Sequence, residues 1–308
     1  MVKEQLPVLL IQNGYLHTMT NRPAQGDILL AGGRILQVAE RIDPHTLEPE
    51  RVIDASGLHV CPGLIDPHMH LVRASAREED DVPAQLRSAL DAGVTTCTLW
   101  PEEGGATCRT YHGTFPASSG YAIHTLNAAG MDDAHLRAAM EQAAKEQRHL
   151  GCEIHGASSL RRVLALGRDT GCRLILTHLT GCHAMAEEIA ASGYPVILGA
   201  CCLRSGGSSY DLAAKLQALG ATVALTADYP ATRLHHLPLC AGLCARAGMP
   251  REDALACVTV NAARLLGLET VCGALAPGMR ADLALFDGDP LMLATARIMT
   301  VCGGEILP

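Results

Sequence analysis

Lysine and aromatic side chains are scarce in this 308-residue chain, which has three lysines against 21 arginines and only 3% aromatic residues. Its formal net charge is −8. Proteins that bind nucleic acid neutralise phosphates with clustered basic side chains and often stack bases on aromatic rings. The composition therefore argues against a nucleic-acid partner.

Zinc-binding cysteine motifs are also lacking. None of the 13 cysteines forms a Cys-x-x-Cys pair, and neither Cys201 and Cys202 nor Cys240 and Cys244 belong to a four-ligand pattern. The cysteines are scattered through apolar stretches, which predicts buried thiols rather than disulfides.

The chain has no apolar run long enough to cross a membrane. The N-terminal run Val8 to Ile11 is interrupted by Gln12 to Gly14 and lacks a small-residue cleavage pattern. We therefore expect a cytoplasmic protein without a membrane partner.

The most informative motif that is present is the pair His68 and His70, which ends an apolar, strand-like run from Val60 to Ile65. Side chains alternate between the two faces of a strand, so both imidazoles leave the same side and can bind one metal ion. An isolated His-x-His also arises by chance, so the pair alone does not establish a site.

Three further strand-like runs end in a potential ligand, namely His155, His178 and Asp228. In a parallel α/β barrel, the carboxyl ends of the strands surround one mouth, where ligands distant in sequence meet. The pattern predicts a metal site at that mouth.

Together these motifs resemble the amidohydrolase superfamily of metal-dependent hydrolases, in particular its imidazolonepropionase-related branch. The resemblance covers nearly the whole length of the chain. It rests on the three strand ends and on four other segments: Pro62 to His70, Gly93 to Thr96, Val260 to Arg264 and Pro277 to Leu283.

The expected fold is α/β, with a (β/α)8 TIM-like barrel over residues 61–270 and a small β-sandwich built by residues 1–60 and 271–308. Strand and helix patterns alternate through the barrel region, as in a parallel sheet. Residues 102–120 carry no helical period, so this half of the barrel is expected to be abbreviated.

The resemblance implies hydrolysis of a C–N amide or cyclic amide bond in a small molecule. His68, His70 and Asp228 are assigned to a first divalent ion, and His155 and His178 complete the site or hold a second ion. Zinc suits these nitrogen and oxygen ligands, and manganese, iron or nickel also fit. Asp228 is the expected general base and acid toward a metal-activated water, and His178 is the second catalytic candidate.

A carboxylated lysine bridges two ions in many members of the superfamily, but Lys145 and Lys215 both fall in helical patterns here. Glu102 or Glu103 is an alternative bridge, although an exposed loop is the favoured interpretation for both. Glu153 should face the barrel interior, where we expect it to pair with an arginine.

Candidate substrate-binding residues follow the strand ends: Arg73, His183, Arg204 and Tyr229. Dihydroorotase-like members place an arginine just after His-x-His to bind a substrate carboxylate, and Arg73 lies one residue later than that position.

Two other functions stay open. Mononuclear deaminases of the superfamily often have a glutamate where this chain has Ser158, which puts a deaminase second. The third alternative is a non-catalytic barrel that serves as a binding module. A homo-oligomer is the default expectation for such a barrel.

Overall fold

The computed structural model describes residues 8–46, 49–70, 78–101, 107–126, 128, 131–199 and 209–307. Its strands are β1 (Leu9–Leu16), β2 (Ala24–Ala31), β3 (Arg34–Ala39), β4 (Arg51–Asp54), β5 (His59–Pro62), β6 (Leu64–His70), β7 (Val94–Trp100), β8 (Arg109–His112), β9 (Phe115–Pro116), β10 (Ile123–Leu126), β11 (His149–His155), β12 (Arg173–Thr180), β13 (Val196–Gly199), β14 (Val223–Thr226), β15 (Leu283–Phe286), β16 (Arg297–Cys302) and β17 (Glu305–Leu307). Its helices are α1 (Glu78–Asp91), α2 (Asp133–Lys145), α3 (Ala157–Thr170), α4 (Ala186–Ala191), α5 (Ser209–Ala218), α6 (Leu237–Arg246), α7 (Arg251–Ala256) and α8 (Val260–Leu266).

Strands from both ends of the chain share one eight-stranded sheet. Its order is β17-β16-β15-β5-β1-β2-β3, and β4 pairs with β1. One buried apolar cluster draws on strands from both ends, including Leu9, Ile28, Val60, Leu283 and Val301. The described hydrogen bonds give a single continuous sheet, so the predicted sandwich of two stacked sheets stays a prediction.

The middle of the chain forms the α/β part of the fold. Strands β10 to β14 make a five-stranded sheet in sequence order, and every neighbouring pair in it is parallel. Helices α2, α3 and α5 lie between successive strands, as the alternating sequence pattern predicts. Their apolar faces and those of the strands meet in the largest buried cluster among the described residues, called the outer cluster below.

The third strand of the barrel region differs from the expectation of an all-parallel sheet. Strand β8 runs antiparallel to β7 and forms a hairpin with β9. Only eight residues, 101–108, separate β7 from β8, and a parallel return needs a crossover of about a dozen residues or more. The missing helical period after residue 102 therefore agrees with a connection that is too short for a parallel third strand.

The predicted strand-like run from Val60 to Ile65 covers parts of two strands in the structure. Strand β5 pairs antiparallel with β15 in the sheet shared by the chain ends, whereas β6 pairs parallel with β7. Gly63 separates them, and a side chain there would collide with Thr95, since an added Cβ would lie 2.1 Å from its Oγ1. The close approach of the chain at position 63 to Thr95 of β7 therefore depends on glycine.

A third buried cluster, called the inner cluster below, brings together the parallel sheet of β10 to β14 and the four-stranded sheet with the order β6-β7-β8-β9. It contains Ile65 of β6, Trp100 of β7, Ile123 of β10, Ile175 of β12 and Ile197 of β13, and residues of α8 pack against it. Hydrogen bonds also cross between the sheets: Cys108 N donates to Ile123 O at 2.8 Å, and His70 N donates to Tyr229 O at 2.9 Å. The strand ends that carry the candidate ligands therefore face one another.

Two composition-based expectations can be compared with the described residues. The described cysteines are free thiols, and most are buried, which confirms the prediction of buried thiols. None of the helices in this part of the chain is long and apolar enough to cross a membrane.

Candidate metal centre

Three of the predicted ligands converge at the carboxyl ends of β6, β12 and β14. One nitrogen each from His68 and His178 and one carboxylate oxygen of Asp228 all lie within 4.8 Å of one another. His68 Nδ1 is 3.3 Å from Asp228 Oδ1, and the rings of His68 and His178 meet edge to face with centroids 5.1 Å apart. His68 and Asp228 are buried, so the cluster is shielded from solvent.

A β-bulge in β6 orients the two histidines of the His-x-His motif. The pairing of β6 with β7 shifts register between Asp66 and Met69. Before the bulge Leu64 packs in the outer cluster, and after it the odd-numbered Met69 does so. His68 and His70 therefore share the opposite face, with ring centroids 4.8 Å apart.

Left-handed backbone conformations orient the other two ligands. The φ angle is 65° at His178 and 56° at Asp228, values that residues other than glycine seldom adopt. Ile175 lies in the inner cluster and Leu176 in the outer one, so simple alternation would point His178 outward. The change of backbone conformation at His178 and Leu179 breaks that alternation and brings the imidazole into the site.

Glu153 of β11 also belongs to the centre, and its predicted arginine partner is not found among the described residues. Its carboxylate forms a second group with His68 and His70, in which the three ligand atoms lie within 4.8 Å. Glu153 Oε1 is 3.8 Å from His178 Nε2. The expectation of a buried ion pair with an arginine is therefore wrong, because Glu153 lies near the end of β11, is 43% exposed and contacts the histidines.

His155 lies at the margin of the centre rather than inside either group. Its Nε2 is 3.9 Å from Glu153 Oε2, and its ring is roughly parallel to that of His178 with centroids 6.4 Å apart. Its side chain is 56% exposed, against 13% for His178. His155 stays a predicted ligand, and Glu153 occupies the place closer to the other ligands.

Asp66 and Thr226 hold the backbone of the site, and neither was singled out as a site residue from the sequence. The Asp66 carboxylate accepts hydrogen bonds from His68 N at 3.1 Å, Ala227 N at 3.0 Å and Thr226 Oγ1 at 2.6 Å. Thr226 Oγ1 in turn accepts from Asp228 N at 2.8 Å. This network links β6 to β14 and fixes two ligands relative to each other. The only sequence signal for it was the Asp-x-His spacing before the histidine pair.

Trp100, the only tryptophan of the chain, packs against the His68 ring. Its ring centroid is 4.4 Å from that of His68, and its Nε1 donates to Pro67 O at 2.8 Å. The indole occupies the space beside Gly151, where an added Cβ would lie 2.0 Å from the ring. A large aromatic side chain on one strand and a glycine on another thus fit together below the centre.

Burial favours the neutral form of two histidines in the centre, His70 and His178. It is the main cause that lowers the pKa of both His70 and His178, and the proximity of His68 lowers the pKa of each further. Neutral imidazoles therefore predominate near neutral pH, and neutral imidazole is the form that binds a metal ion. Burial also raises the pKa of Asp66 to about 6, against the opposing effect of its hydrogen bonds.

The donor set of the centre fits a divalent cation. His68 Nε2 and His70 Nδ1 are buried and have no hydrogen-bond partner among the described residues, and His68 Nδ1 faces the Asp228 carboxylate at 3.3 Å. Buried polar atoms without a partner are costly, and coordination of a cation removes that cost. Imidazole nitrogens combined with carboxylate oxygens are typical zinc ligands.

The predicted substrate-binding residues are only partly described. His183 is exposed at the start of a short 3-10 helix after β12, and Tyr229 is half-buried beside Asp228. Arg73, Arg204, Glu102 and Glu103 lie outside the described residues. Their roles stay predictions.

Comparison with known proteins assigns the family. A model of the amidohydrolase family matches residues 113–308, which is more than half of the chain and includes His155, His178 and Asp228. The chain belongs to the amidohydrolase family. His68 and His70 lie before the matched region, so the structure is what connects them to the other ligands.

Similar sequences agree with this assignment. The chain is 38% identical over 95 residues to a dihydroorotase of Aquifex aeolicus, and 39% identical over 94 residues to one of Ruminiclostridium cellulolyticum. Each match covers 30% of this chain and only 22% or 21% of the relative, so the chain spans about a fifth of the length of these curated relatives.

Solved structures match over nearly the whole fold. An amidohydrolase from Thermotoga maritima has a TM-score of 0.81 at 19% identity, covering 97% of this chain and 99% of that chain. A triazine hydrolase from Arthobacter aurescens has a TM-score of 0.74 at 18% identity, covering 98% and 94% respectively. At such low identity these likenesses show the fold alone.

Proposed function

We propose that this protein is a metal-dependent hydrolase that cleaves a C–N amide or cyclic amide bond in a small molecule. Membership of the amidohydrolase family supports the reaction class. The observation that carries the proposal is the group formed by His68, His178 and Asp228, whose ligand atoms lie within 4.8 Å of one another at the ends of three strands.

The cation that best suits this centre is zinc, with manganese, iron or nickel as alternatives. His68, His178 and Asp228 would hold one ion. His68, His70 and Glu153 form the second group. The two groups share His68, so together they would hold either one ion or two ions with a common ligand. His155 is the predicted ligand with the weakest geometric support.

The general base and acid of the proposed reaction is Asp228. The ion, when bound, polarises the scissile carbonyl and acidifies water. Asp228 takes a proton from the attacking water as its oxygen bonds to the carbonyl carbon, and it gives that proton to the nitrogen as the C–N bond breaks. Thr226 Oγ1, which accepts from Asp228 N at 2.8 Å, and the Asp66 network hold this carboxylate in place.

His178 is the second catalytic candidate. It is mostly buried and its ring lies edge to face with that of His68. Burial lowers the pKa of His178 and keeps the ring neutral near neutral pH, so it can bind the ion or accept a hydrogen bond from water, but it does not add positive charge.

For the substrate, a ring-closed amide is the first choice. The curated relatives are named dihydroorotases, although the matches span only about a fifth of their length. Arg73, Arg204, His183 and Tyr229 stay the candidates for substrate contacts, and an arginine among them would suit a carboxylate on the substrate.

We also propose that eight strands, namely β6, β7, β8 and β10 to β14, close into a barrel within residues 61–270. Residues 1–60 and 271–308 would form an accessory domain. Three observations support this arrangement. The Cys108 to Ile123 hydrogen bond joins the segment before β8 to β10, the His70 to Tyr229 bond joins β6 to the end of β14, and one apolar cluster contains residues from six of these strands and from α8. The shared sheet of both chain ends supports the accessory domain.

The test is a hydrolysis assay on protein loaded with zinc or manganese, using dihydroorotate, other cyclic amides and imides, and N-acyl amino acids. We expect turnover of a cyclic amide, and Asp228→Asn should reduce kcat by about 10²- to 10⁴-fold because the proton transfer is lost. Asp169→Asn is the matched control, because Asp169 is an exposed carboxylate that pairs with Arg137 at 2.9 Å far from the centre.

Two results would contradict the proposal. Full activity of the Asp228→Asn variant on an identified substrate would refute the role of Asp228. Release of ammonia from ring amines without hydrolysis of any amide would instead support the deaminase alternative.

A further inference from the structure

A cavity of about 500 Å³ lies at the end of the parallel sheet opposite to the metal centre. It is lined by residues at the starts of strands, including His149 at the start of β11 and Arg173 at the start of β12. The metal centre lies at the other ends of the same two strands. Seven residues of β11 separate the two regions by about 20 Å.

The charge of the cavity is strongly positive. Its lining includes Arg168, Arg173 and Arg264 and contains no acidic side chain among the described residues. Within the same part of the chain, none of the three arginines forms an ion pair with a carboxylate, and Arg264 has only a long contact of 3.4 Å from Nη1 to Asn261 Oδ1. Three arginines that line one cavity without a carboxylate in its lining are suited to an anion, above all to phosphate or carboxylate oxygens.

Aromatic side chains form another part of the lining. Tyr121 stacks on His149 with ring centroids 4.1 Å apart and an angle of 20° between the planes, and Tyr194 also lines the cavity. Tyr121 is held in this position by close packing on Gly267, where an added Cβ would lie 2.8 Å from its ring. Tyr121 is 42% exposed, so part of its ring is open to contact with a flat ligand ring.

One buried polar atom in the lining has no partner among the described residues. His149 is only 9% exposed, and its Nδ1 makes no hydrogen bond with any of them. Burial and the nearby Arg173 lower the pKa of His149, so its ring is neutral near neutral pH. A buried nitrogen of this kind is a place where a ligand can donate or accept a hydrogen bond.

We propose that this cavity is a second binding site, separate from the metal centre, for a small anion that carries a flat ring, of the nucleoside monophosphate class. The arginines would bind the phosphate, and the Tyr121 and His149 pair would contact the base. The volume is within the range of about 300–1,000 Å³ that is typical of small-molecule sites. The proposal does not depend on the hydrolase activity.

The test is isothermal titration of the full chain with three probes: adenosine monophosphate, adenosine and inorganic phosphate. We expect the monophosphate to bind more tightly than either fragment. Arg173→Ala and Arg264→Ala should each weaken its binding by about tenfold or more, since each removes a charge-assisted hydrogen bond. Because both arginines are exposed, the variants should fold, which circular dichroism would verify.

Arg161→Ala is the matched control. Arg161 lies on α3 with Arg168, but its side chain is 67% exposed, pairs with Glu188 and does not line the cavity. This variant should bind the monophosphate as the parent does.

Three outcomes would overturn the proposal. They are absence of binding by the parent chain, binding that Arg173→Ala and Arg264→Ala leave unchanged, and binding of inorganic phosphate as tight as that of the monophosphate. None of them involves catalytic turnover, so failure here is distinguishable from failure of the proposed hydrolase.

Discussion

Single residues in the centre differ in their contacts. These contacts distinguish the candidate ligands from the residues that hold them in position. His68 is buried, lies 3.3 Å from Asp228 and belongs to both candidate metal groups. Asp66 belongs to neither group but accepts hydrogen bonds from both strands that carry His68 and Asp228. The first residue offers candidate ligand atoms, and the second fixes where those atoms lie.

Glu153 and His155 offer the clearest comparison at this scale. Glu153→Gln should weaken zinc binding by about tenfold or more, because it replaces a charged ligand beside His68 and His70. His155→Gln should have a smaller effect, since His155 is 56% exposed and outside both groups. Competition with a fluorescent zinc chelator measures both affinities.

Glu187→Gln is the control for this comparison, because Glu187 is an exposed glutamate that pairs with Lys215 on the helical surface. A larger loss of affinity in His155→Gln than in Glu153→Gln would reinstate the ligand set expected from the sequence and remove Glu153 from it.

Sequence patterns could identify ligand types but not all their positions. His68, His70, His178 and Asp228 stand at strand ends, where the barrel expectation put them. The positive φ angles at His178 and Asp228 and the bulge after Asp66 were not foreseeable, because such backbone conformations depend on contacts between distant strands. The role of Glu153 was misjudged for the same reason.

At the scale of strands and helices, the sequence predicted most of the parallel sheet and failed at the third strand. Strand β7 has the predicted bounds, and apolar runs mark β10 to β14. The antiparallel direction of β8 follows from the short connection before it. The missing helical period indicated an abbreviated half of the barrel, but it did not indicate the direction of this strand.

The packing of β7 against β11 gives a prediction at this scale. Gly151→Ala should destabilise the protein by about 1–3 kcal/mol, because the added methyl collides with the Trp100 ring. Trp100→Phe removes the outer part of that ring, so Gly151→Ala should cost less when it is combined with Trp100→Phe. Urea unfolding of the two single variants and the double variant gives the coupling energy. Equal costs with and without Trp100→Phe would show that the indole does not fill this space.

Strand β8 supplies a pH-dependent prediction through His112. Burial lowers the pKa of His112 to about 4, from 6.5 as the ordinary value. Between these values the unfolded chain binds more protons than the folded one, so stability is full above pH 6.5 and declines as the pH falls toward 4. The loss between about pH 6.5 and about pH 5 should be about 2 kcal/mol from this residue.

Urea unfolding of the parent and of His112→Gln at several pH values between about 7.5 and about 5 tests this expectation. The variant should lose less stability on acidification, while His45→Gln, at an exposed histidine, should follow the parent. Identical slopes for parent and His112→Gln would contradict the assignment, since the other buried histidines are present in both.

On the scale of the whole molecule, the sheet built by both chain ends contacts the strand that carries His68 and His70. Strands β5 and β15 pair next to β6, and Asp282 O accepts from Gly63 N at 2.8 Å, directly before the strand that carries His68. The Arg280 guanidinium contacts the buried Asp282 carboxylate at 3.0 Å and ties β15 to the turn before it. The sheet built by both ends therefore supports the strand that supplies the histidine pair.

The claim that this fold holds a catalytic cation is tested most directly by metal content. Elemental analysis of protein purified without chelator, alongside His68→Ala and the exposed control His45→Ala, should find about one or two equivalents of divalent metal per chain in the parent and the control. His68→Ala should lose most of it, because His68 belongs to both ligand groups. No bound metal in the parent even after zinc or manganese is added, or equal metal in His68→Ala, would contradict the account.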